Sequence, residues 1–461
     1  MKRSYLTVVA LLAHTAVVNA QTPPSDPPPP PPAPPDVPPP PDAPVAPEPP
    51  DAPEPPDALV QPKPVENQLA PPEGIKPLTP FSSVPLQLTP GGNIQADGRA
   101  FTNDSGSHDM TIRRLRAELT GKAYDYFKFY TLLDFASSKL VVENAYVEVG
   151  LPEVSLRFGK DKAQFGIERL QADTYLTFIE RSFATQISPD RDLGVALRGD
   201  LFHGVVSYSG AIVDGAPDNT TALDAESDNA LEYDLHVLIS PFKAPGLAGL
   251  GDLAIGAATT FGYTHGTLAN PGLTAIKSDG QLTIVKYAGG GTTDTIDTTA
   301  HADGYRTRQT IHGYYYGGPV GVLAEYVRDH EPIELNGTHT GVVDQAWQVA
   351  ASVAVTPGDH PSYTAIRPVH PFDPKHGHWG AVELAARYGE LKLDQDGFDA
   401  KITSATSSIR IARDVTVGAN WYFNRYFKLQ LNYSETFFKE GAMGGDRLSE
   451  HVIEVRGQGM L

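Results

Sequence analysis

The amino-acid sequence predicts an all-β protein, a transmembrane antiparallel β-barrel of about sixteen strands that is preceded by a disordered proline-rich segment. Three observations predict this fold. The chain begins like an exported protein, apolar and polar residues alternate over most of its length, and no segment beyond the N-terminal twenty residues is apolar enough to cross a bilayer as a helix.

Residues 1–20 have the pattern of a secretory signal peptide. Lys2 and Arg3 give a positive start, Tyr5 to Ala13 form a short apolar stretch, and Val18-Asn19-Ala20 offers small residues for cleavage. The chain has no cysteine, which suits an exported protein. The same absence excludes disulfides, thiolate metal sites and cysteine nucleophiles.

Residues 21–80 form a proline-rich, acidic linker with nine acidic and two basic side chains. Proline fixes φ and donates no backbone hydrogen bond, so this segment can form neither a helix nor the interior of a sheet. We expect an extended, semi-rigid polyproline spacer. It is either a stalk that touches a periplasmic partner or a tether that acts only through its length.

Residues 81–461 have the alternation of β-hairpins, and the clearest hairpin turns at Asn424-Arg425. One face of its two strands is apolar: Val415, Val417, Ala419, Trp421, Phe423, Phe427, Leu429, Leu431 and Tyr433. The intervening residues are mostly polar. The same pattern recurs in six further segments: 127–135, 144–149, 154–159, 320–326, 347–355 and 382–388.

Two kinds of sheet protein alternate in this way. A soluble sandwich turns its apolar face inward, whereas a membrane barrel turns it to lipid and its polar face to a wet lumen. The polar faces here include Lys, Arg, Glu, Asn and Gln, and short turns alternate with longer loops such as 264–304. These features favour the barrel. The alternative outside the membrane is an adhesive or structural β protein on a proline stalk.

The chain has a net charge of −19, of which −7 lies in residues 21–80 and −14 in residues 81–461. This acidity argues against nucleic-acid binding, because affinity for nucleic acid depends on neutralising phosphates with basic side chains. Net charge does not determine the sign of the potential inside a narrow constriction.

A series of short motifs follows in order along the barrel region. One is Phe165-Gly166-Ile167-Glu168, and the others occupy residues 112–122, 127–130, 144–148, 157–160, 177–182, 189–195, 372–374, 379–388 and 418–422. The ordered series resembles the phosphate-selective porin O/P family of outer-membrane porins and covers most of residues 90–461.

The resemblance implies a sixteen-stranded barrel in the bacterial outer membrane. The proline-rich linker is not part of the family core, and we expect it to lie in the periplasm. It implies passive diffusion of small anions such as phosphate or polyphosphate. The partners implied are outer-membrane lipid and lipopolysaccharide, two further copies of the chain in a homotrimer, and small anionic solutes. We expect no enzymatic activity and no cofactor.

The basic residues of the early strands are the candidate anion path. A selective pore needs fixed charge at its narrowest point, because an anion that loses water must regain solvation from the protein. Alternation places four of these side chains on the lumen face: Arg114, Arg116, Lys128 and Arg157. Six further candidates follow in the chain: Lys160, Lys162, Arg169, Asp173, Arg181 and Arg191. Alternatively, Glu118, Asp134 and Glu148 pair with these cations and brace the wall.

Residues 160–192 are charged and only loosely periodic, and we expect them to fold into the lumen as its constriction. In phosphate-selective members of the family, a lysine follows the Phe-Gly-x-Glu motif and serines come shortly after it. Here the matching positions are Arg169, Ala172 and Asp173. Arg169 keeps the positive charge, whereas Asp173 would repel an anion. A general or organic-solute porin without phosphate selectivity is therefore the alternative function.

Other candidate sites are weaker. His370, His376 and His378 with Asp373 have the composition of a metal site, but prolines interrupt them, and we interpret them as a turn. The glycine run 289–291 lacks the Lys-Ser/Thr of a phosphate loop. A barrel lipase would need a serine and a histidine together on the lipid face, and alternation shows no such pair. We therefore expect neither a metal site nor a catalytic one.

Overall fold

The computed structural model describes residues 86–461 except 138, 222–229, 245–246, 248–249 and 292. The predicted signal peptide and proline-rich linker lie outside the described residues. Both stay predictions.

Sixteen long antiparallel strands form one closed sheet, because the first strand pairs with both the second and the last. A two-residue strand, β16 (Gly445–Asp446), only extends β15. The long strands are β1 (Leu86–Phe101), β2 (Asp109–Ala123), β3 (Phe127–Asp134), β4 (Val141–Leu151), β5 (Val154–Lys162), β6 (Arg191–Leu201), β7 (Val206–Val213), β8 (Glu232–Ile239), β9 (Asp252–His265), β10 (His301–Gly317), β11 (Val320–Leu335), β12 (Thr338–Ala354), β13 (Ala381–Lys392), β14 (Ile409–Tyr422), β15 (Phe427–Ala442) and β17 (Glu450–Met460). The predicted sixteen-stranded antiparallel barrel is confirmed.

The two faces of the wall have the polarity expected of a membrane barrel. In β14, Val417 is 49% exposed on the outside, whereas Thr416 and Asn420 point inward and are fully buried. The neighbouring strand repeats the pattern, with Leu431 exposed and Gln430 buried. A soluble sandwich would show the reverse, so the outward apolar face identifies a wall that is solvated by lipid.

The connections differ between the two ends of the barrel. At the turn end, where β1 begins and β17 ends, residues 124–126, 152–153, 318–319 and 423–426 make short turns, although residues 355–380 form a long one. The loop end carries the connections 163–190, 214–231 and 266–300. The part of the chain that the structure describes has three short α-helices at this end: α1 (Ile167–Leu170), α2 (Phe183–Gln186) and α3 (Gln395–Asp399). Among the described residues, no helix has the length and apolarity to cross a membrane.

Residues 163–190 form an inner segment that crosses the interior and contacts the far wall. Its backbone carbonyls at Thr177 and Ile179 accept hydrogen bonds of 2.9 Å from lumen side chains of β14 and β17. The backbone N–H of Ile167 donates to Glu325 of β11 at 2.9 Å. Residues 160–162 and 191–192, which the sequence grouped with this segment, belong to strands β5 and β6.

An apolar cluster fixes the inner segment near the loop end. Phe165, Phe183 and Ile187 pack against inward residues of the far wall such as Val327 and Leu391. This part of the interior is filled by apolar side chains, so the lumen is not a uniform water column. Open volume lies instead beside strands β2–β6, and the charged candidates lie there.

Candidate functional site

Three arginines of β2 point into the interior. Simple alternation places Arg114 and Arg116 there but not Arg113. A β-bulge shifts the register between β1 and β2. Gln95 pairs with Arg114, but the next residue of β1 pairs with Ile112, so that one residue of β2 is skipped. Arg113 is the extra residue, and its Nη2 donates to Glu180 of the inner segment at 3.2 Å. Sequence periodicity missed this arginine, because a one-residue bulge leaves no signal in it.

Asp173 of the inner segment lies among three guanidinium groups. Arg181 donates to its Oδ1 at 2.5 Å, Arg114 Nε lies 3.3 Å from its Oδ2, and Arg116 also donates to Oδ2. Burial alone would raise the pKa of Asp173, but the three arginine charges hold it well below its usual range. The negative charge that the sequence suggested would repel anions is therefore compensated on three sides.

Most other candidates near the inner segment are bound to protein groups. Arg191 contacts Glu143 at 2.9 Å and Asp190 at 3.0 Å. Arg169 lies 3.4 Å from Asp190 and donates to the carbonyl of Thr185 at 2.6 Å. Lys162 donates to the carbonyls of Arg169 and Gln171 at 2.7 and 2.6 Å. Lys162 and Arg191 thus join the segment to β4–β6, whereas Arg169 binds groups within the segment.

The remaining predicted residues lie elsewhere. Arg157 is ion-paired with Glu148 and Asp161, and its guanidinium stacks over the ring of Tyr146 at 3.8 Å. Lys128 is 5.9 Å from the centre of the same ring. Lys160 is buried in β5. The structure thus gathers seven of the ten predicted residues around the inner segment, while Lys128 and Arg157 line a separate cavity. Their role in binding anions stays a prediction.

Two cavities lie on opposite sides of the inner segment. The loop-end cavity has a volume of about 380 Å³ and is lined by seven basic and five acidic side chains. Arg113, Arg114, Arg116 and Arg181 are among them. The turn-end cavity has a volume of about 1060 Å³, and its basic residues are Lys122, Lys128, Arg157, Lys162 and Arg198. In both cavities basic side chains outnumber acidic ones, although the chain as a whole is strongly acidic.

A second charged group, which we call the closed network, lies on the lumen side of β8–β11. Arg308 is fully buried and contacts Asp218 and Glu232 at 2.9 Å. Arg306 contacts Asp218 as well as Asp329 and Glu331, at 2.5, 3.1 and 2.8 Å. Burial raises the pKa of Asp218 to about 7, with the two arginines opposing the shift and Asp329 adding to it.

Sequence reasoning missed the closed network. The sequence does contain a signal for it. Arg306 and Arg308 are two residues apart and share one face of their strand, and so do Asp329 and Glu331 on the next strand. The histidine-rich string at 370–378 is a turn, in which Asp373 accepts a hydrogen bond from the backbone N–H of Lys375 at 3.2 Å.

Comparison with known proteins agrees with this geometry. The family model of phosphate-selective porin O and P matches residues 89–458, which is most of the chain. Porin O of Pseudomonas aeruginosa is 20% identical over 367 residues, which are 74% of this chain and 81% of that protein. The resemblance seen in the sequence is confirmed.

Solved outer-membrane barrels share the fold at low identity. The channel DcaP of Acinetobacter baumannii superposes with a TM-score of 0.51 at 12% identity, covering 82% of this chain and 97% of DcaP. An anion-selective porin from Comamonas acidovorans gives a TM-score of 0.50 at 11% identity, covering 82% of this chain and all of that one. Family and fold are those of a channel rather than an enzyme. The chain belongs to the phosphate-selective porin O and P family, and it is an outer-membrane porin for small anions.

Proposed function

We propose that this porin selects small oxyanions of the phosphate class at a constriction where the arginines of β2 meet the inner segment. The observation that carries the proposal is the excess of basic side chains in the loop-end cavity of a chain whose net charge is −19. A local excess of positive charge in a narrow space attracts anions even when the whole protein repels them.

Arg113, Arg114 and Arg181 are the proposed contacts for the solute. All three line the loop-end cavity, and each guanidinium offers planar pairs of N–H donors that match two oxygens of an oxyanion. These donors replace the water that the anion loses on entering the constriction.

Asp173 is proposed to keep the site from holding the anion too tightly. Conduction requires sites that are favourable enough to enter and weak enough to leave. Asp173 shares its charge with Arg114, Arg116 and Arg181, so an anion meets guanidiniums whose attraction is already partly satisfied. We assign Arg116, Lys162, Arg169 and Arg191 mainly to holding the inner segment in place.

The turn-end cavity is proposed to receive the anion after the constriction. Lys128, Arg157 and Arg198 offer a second set of weak cationic contacts on that side. Glu148 and Asp161 partly neutralise Arg157, so that an anion would bind there only weakly and could leave again. No catalytic step is proposed.

We further propose a homotrimer surrounded by outer-membrane lipid and lipopolysaccharide. The structurally similar barrel OmpT of Vibrio cholerae has been solved in a trimer form. Cross-linking of the protein in detergent, followed by electrophoresis, tests this state. The proline-rich linker is proposed as a periplasmic tether, and pull-down of periplasmic proteins with and without residues 21–80 tests for a partner.

Planar-bilayer recording tests the proposed selectivity. We expect the reversal potential in a KCl gradient to show a preference for chloride over potassium, and added phosphate to reduce the chloride current in a saturable way. Anion preference without a phosphate effect would favour the alternative of a general or organic-solute porin. A preference for potassium would contradict the proposal.

A further inference from the structure

A group of histidines and carboxylates lies at the loop end, away from the pore. It is formed by Asp303 of β10, Glu334 of β11 and His339 of β12, whose ligand atoms all lie within 4.8 Å of one another. His301 and His265 flank the group. The strand register explains the meeting, since Asp303 pairs with His265 and Glu334 pairs with both His301 and His339.

The spacing of these atoms suits a shared cation better than direct hydrogen bonds. His339 Nδ1 lies 3.5 Å from Asp303 Oδ2, and its Nε2 lies 3.5 Å from Glu334 Oε2. Both separations exceed the usual 2.7–3.2 Å of an N–H···O bond. A metal ion would take only one of the two imidazole nitrogens, and each nitrogen has one carboxylate oxygen at a separation close to the roughly 3.3 Å between ligands around a tetrahedral ion with bonds of about 2.0–2.1 Å.

The flanking histidines support a metal site independently of these distances. His301 is nine-tenths buried, and its Nδ1 lies 2.8 Å from the carbonyl oxygen of Thr299, to which it donates. With Nδ1 used in this bond, Nε2 is the nitrogen on the side of the group, 3.8 Å from Glu334 Oε2. A histidine oriented through its other nitrogen by a backbone carbonyl is typical of metal ligands.

His265 completes the arrangement by holding the second carboxylate. Its Nδ1 bonds Asp303 Oδ1 at 2.5 Å, so that Oδ2 remains turned toward His339. Ligating carboxylates are usually held in this way by an outer partner. A second cluster of carboxylates among the described residues consists of Asp218, Asp329 and Glu331. It is unsuited to a metal ion because Arg306 already lies among its oxygens.

We propose that Asp303, Glu334 and His339 bind one divalent transition-metal ion of the zinc class, with His301 beside Glu334 at the edge of the site. Mixed imidazole and carboxylate ligands favour Zn²⁺ or Co²⁺ over Mg²⁺ and Ca²⁺, which prefer oxygen alone. The ion would join the outer ends of three adjacent strands. It would lie just beyond the exposed ring pair Tyr263 and Tyr305, which stands two residues nearer the membrane and has the character of an interfacial girdle.

The test is equilibrium dialysis of the untagged, detergent-extracted protein against Zn²⁺, with heat-modifiable electrophoretic mobility to confirm folding of each variant. We expect one tight equivalent per chain, and a loss of affinity of roughly tenfold or more in both H339A and D303N. The near-isosteric D303N retains the shape of the site. The control H376A changes an exposed histidine that also pairs with an aspartate, at the turn end, and should bind like the unaltered protein.

Two results would overturn the proposal. One is Zn²⁺ binding of equal affinity in D303N, H339A and the unaltered protein. The other is full displacement of Zn²⁺ by an equal concentration of Mg²⁺. In the expected case, Co²⁺ titration gives the visible absorption of a four- or five-coordinate ion, which H339A lacks. The outcome is independent of pore selectivity, because none of these residues lines the two cavities described above.

Discussion

The constriction and the closed network both consist of arginines and carboxylates, but the two groups serve opposite purposes. Around Asp173, three arginines share one carboxylate and open onto a cavity of about 380 Å³. In the closed network, Arg306 and Arg308 face four carboxylates and Arg308 has no exposed surface. An arginine–carboxylate pair in the lumen assists anion conduction only where basic groups outnumber acidic ones and where an anion can reach the basic groups.

The largest expected effect concerns the closed network. Arg308→Met leaves Glu232 buried without its arginine partner and removes one of the two arginines that contact Asp218, which we expect to cost about 3–5 kcal/mol of barrel stability. The urea midpoint measured by heat-modifiable gel mobility should fall, while the reversal potential of surviving channels stays the same. Arg413→Met is the control, because Arg413 is half exposed and its pair with Glu390 contributes little. Equal losses in both variants would contradict the distinction.

The second effect concerns the constriction. Arg114→Gln removes one of the three charges around Asp173 and keeps hydrogen-bonding capacity. We expect the anion-to-cation permeability ratio to fall about fivefold, since one unit charge at 4 Å in a watery site contributes about 1 kcal/mol. Bilayer reversal potentials measure this ratio, with Arg413→Gln as the variant outside the pore. An unchanged ratio would remove Arg114 from the ion path.

A smaller effect of opposite sign is expected at Asp173. Asp173→Ser frees three guanidiniums and adds the hydroxyl that the family resemblance places there. Anion preference and phosphate block should both rise, by roughly twofold to fivefold. Single-channel recording with phosphate measures the change, and Asp173→Asn separates the loss of charge from the gain of a hydroxyl. Unchanged preference and block would contradict the placing of the constriction.

The smallest expected effect is that of pH. Because the pKa of Asp173 is held well below its usual range, its stabilising ion pairs are complete above the ordinary aspartate pKa near 3.9 and are lost only as pH falls toward the lower folded value. Chloride preference should therefore be nearly constant from pH 7 to pH 5. Asp218, whose pKa burial raises to about 7, takes up its proton in this window inside the closed network. A steep rise in anion preference between pH 7 and pH 5 would mean that burial raises the pKa of Asp173 and that the three arginines do not lower it.

The sequence predicted the barrel because the alternation of apolar and polar residues is repeated in many separate segments. Each period-two stretch, such as Val415 to Tyr433, independently indicates which face meets lipid. The site was predicted less completely. Alternation identified Arg114 and Arg116, but the bulge that turns Arg113 inward depends on pairing with β1. The compensation of Asp173 by Arg181 depends on how an irregular segment folds back, which periodicity cannot encode.

The most direct test of the central claim uses the absence of cysteine from the chain. Arg113→Cys places a thiol in the loop-end cavity, and Thr260→Cys places one at a fully buried position beside Arg308 in the closed network. A negatively charged methanethiosulfonate reagent added during bilayer recording should reduce the anion current through Arg113→Cys channels and leave Thr260→Cys channels unchanged. Current that is unaffected in the first variant, or reduced equally in both, would contradict a path along the arginines of β2.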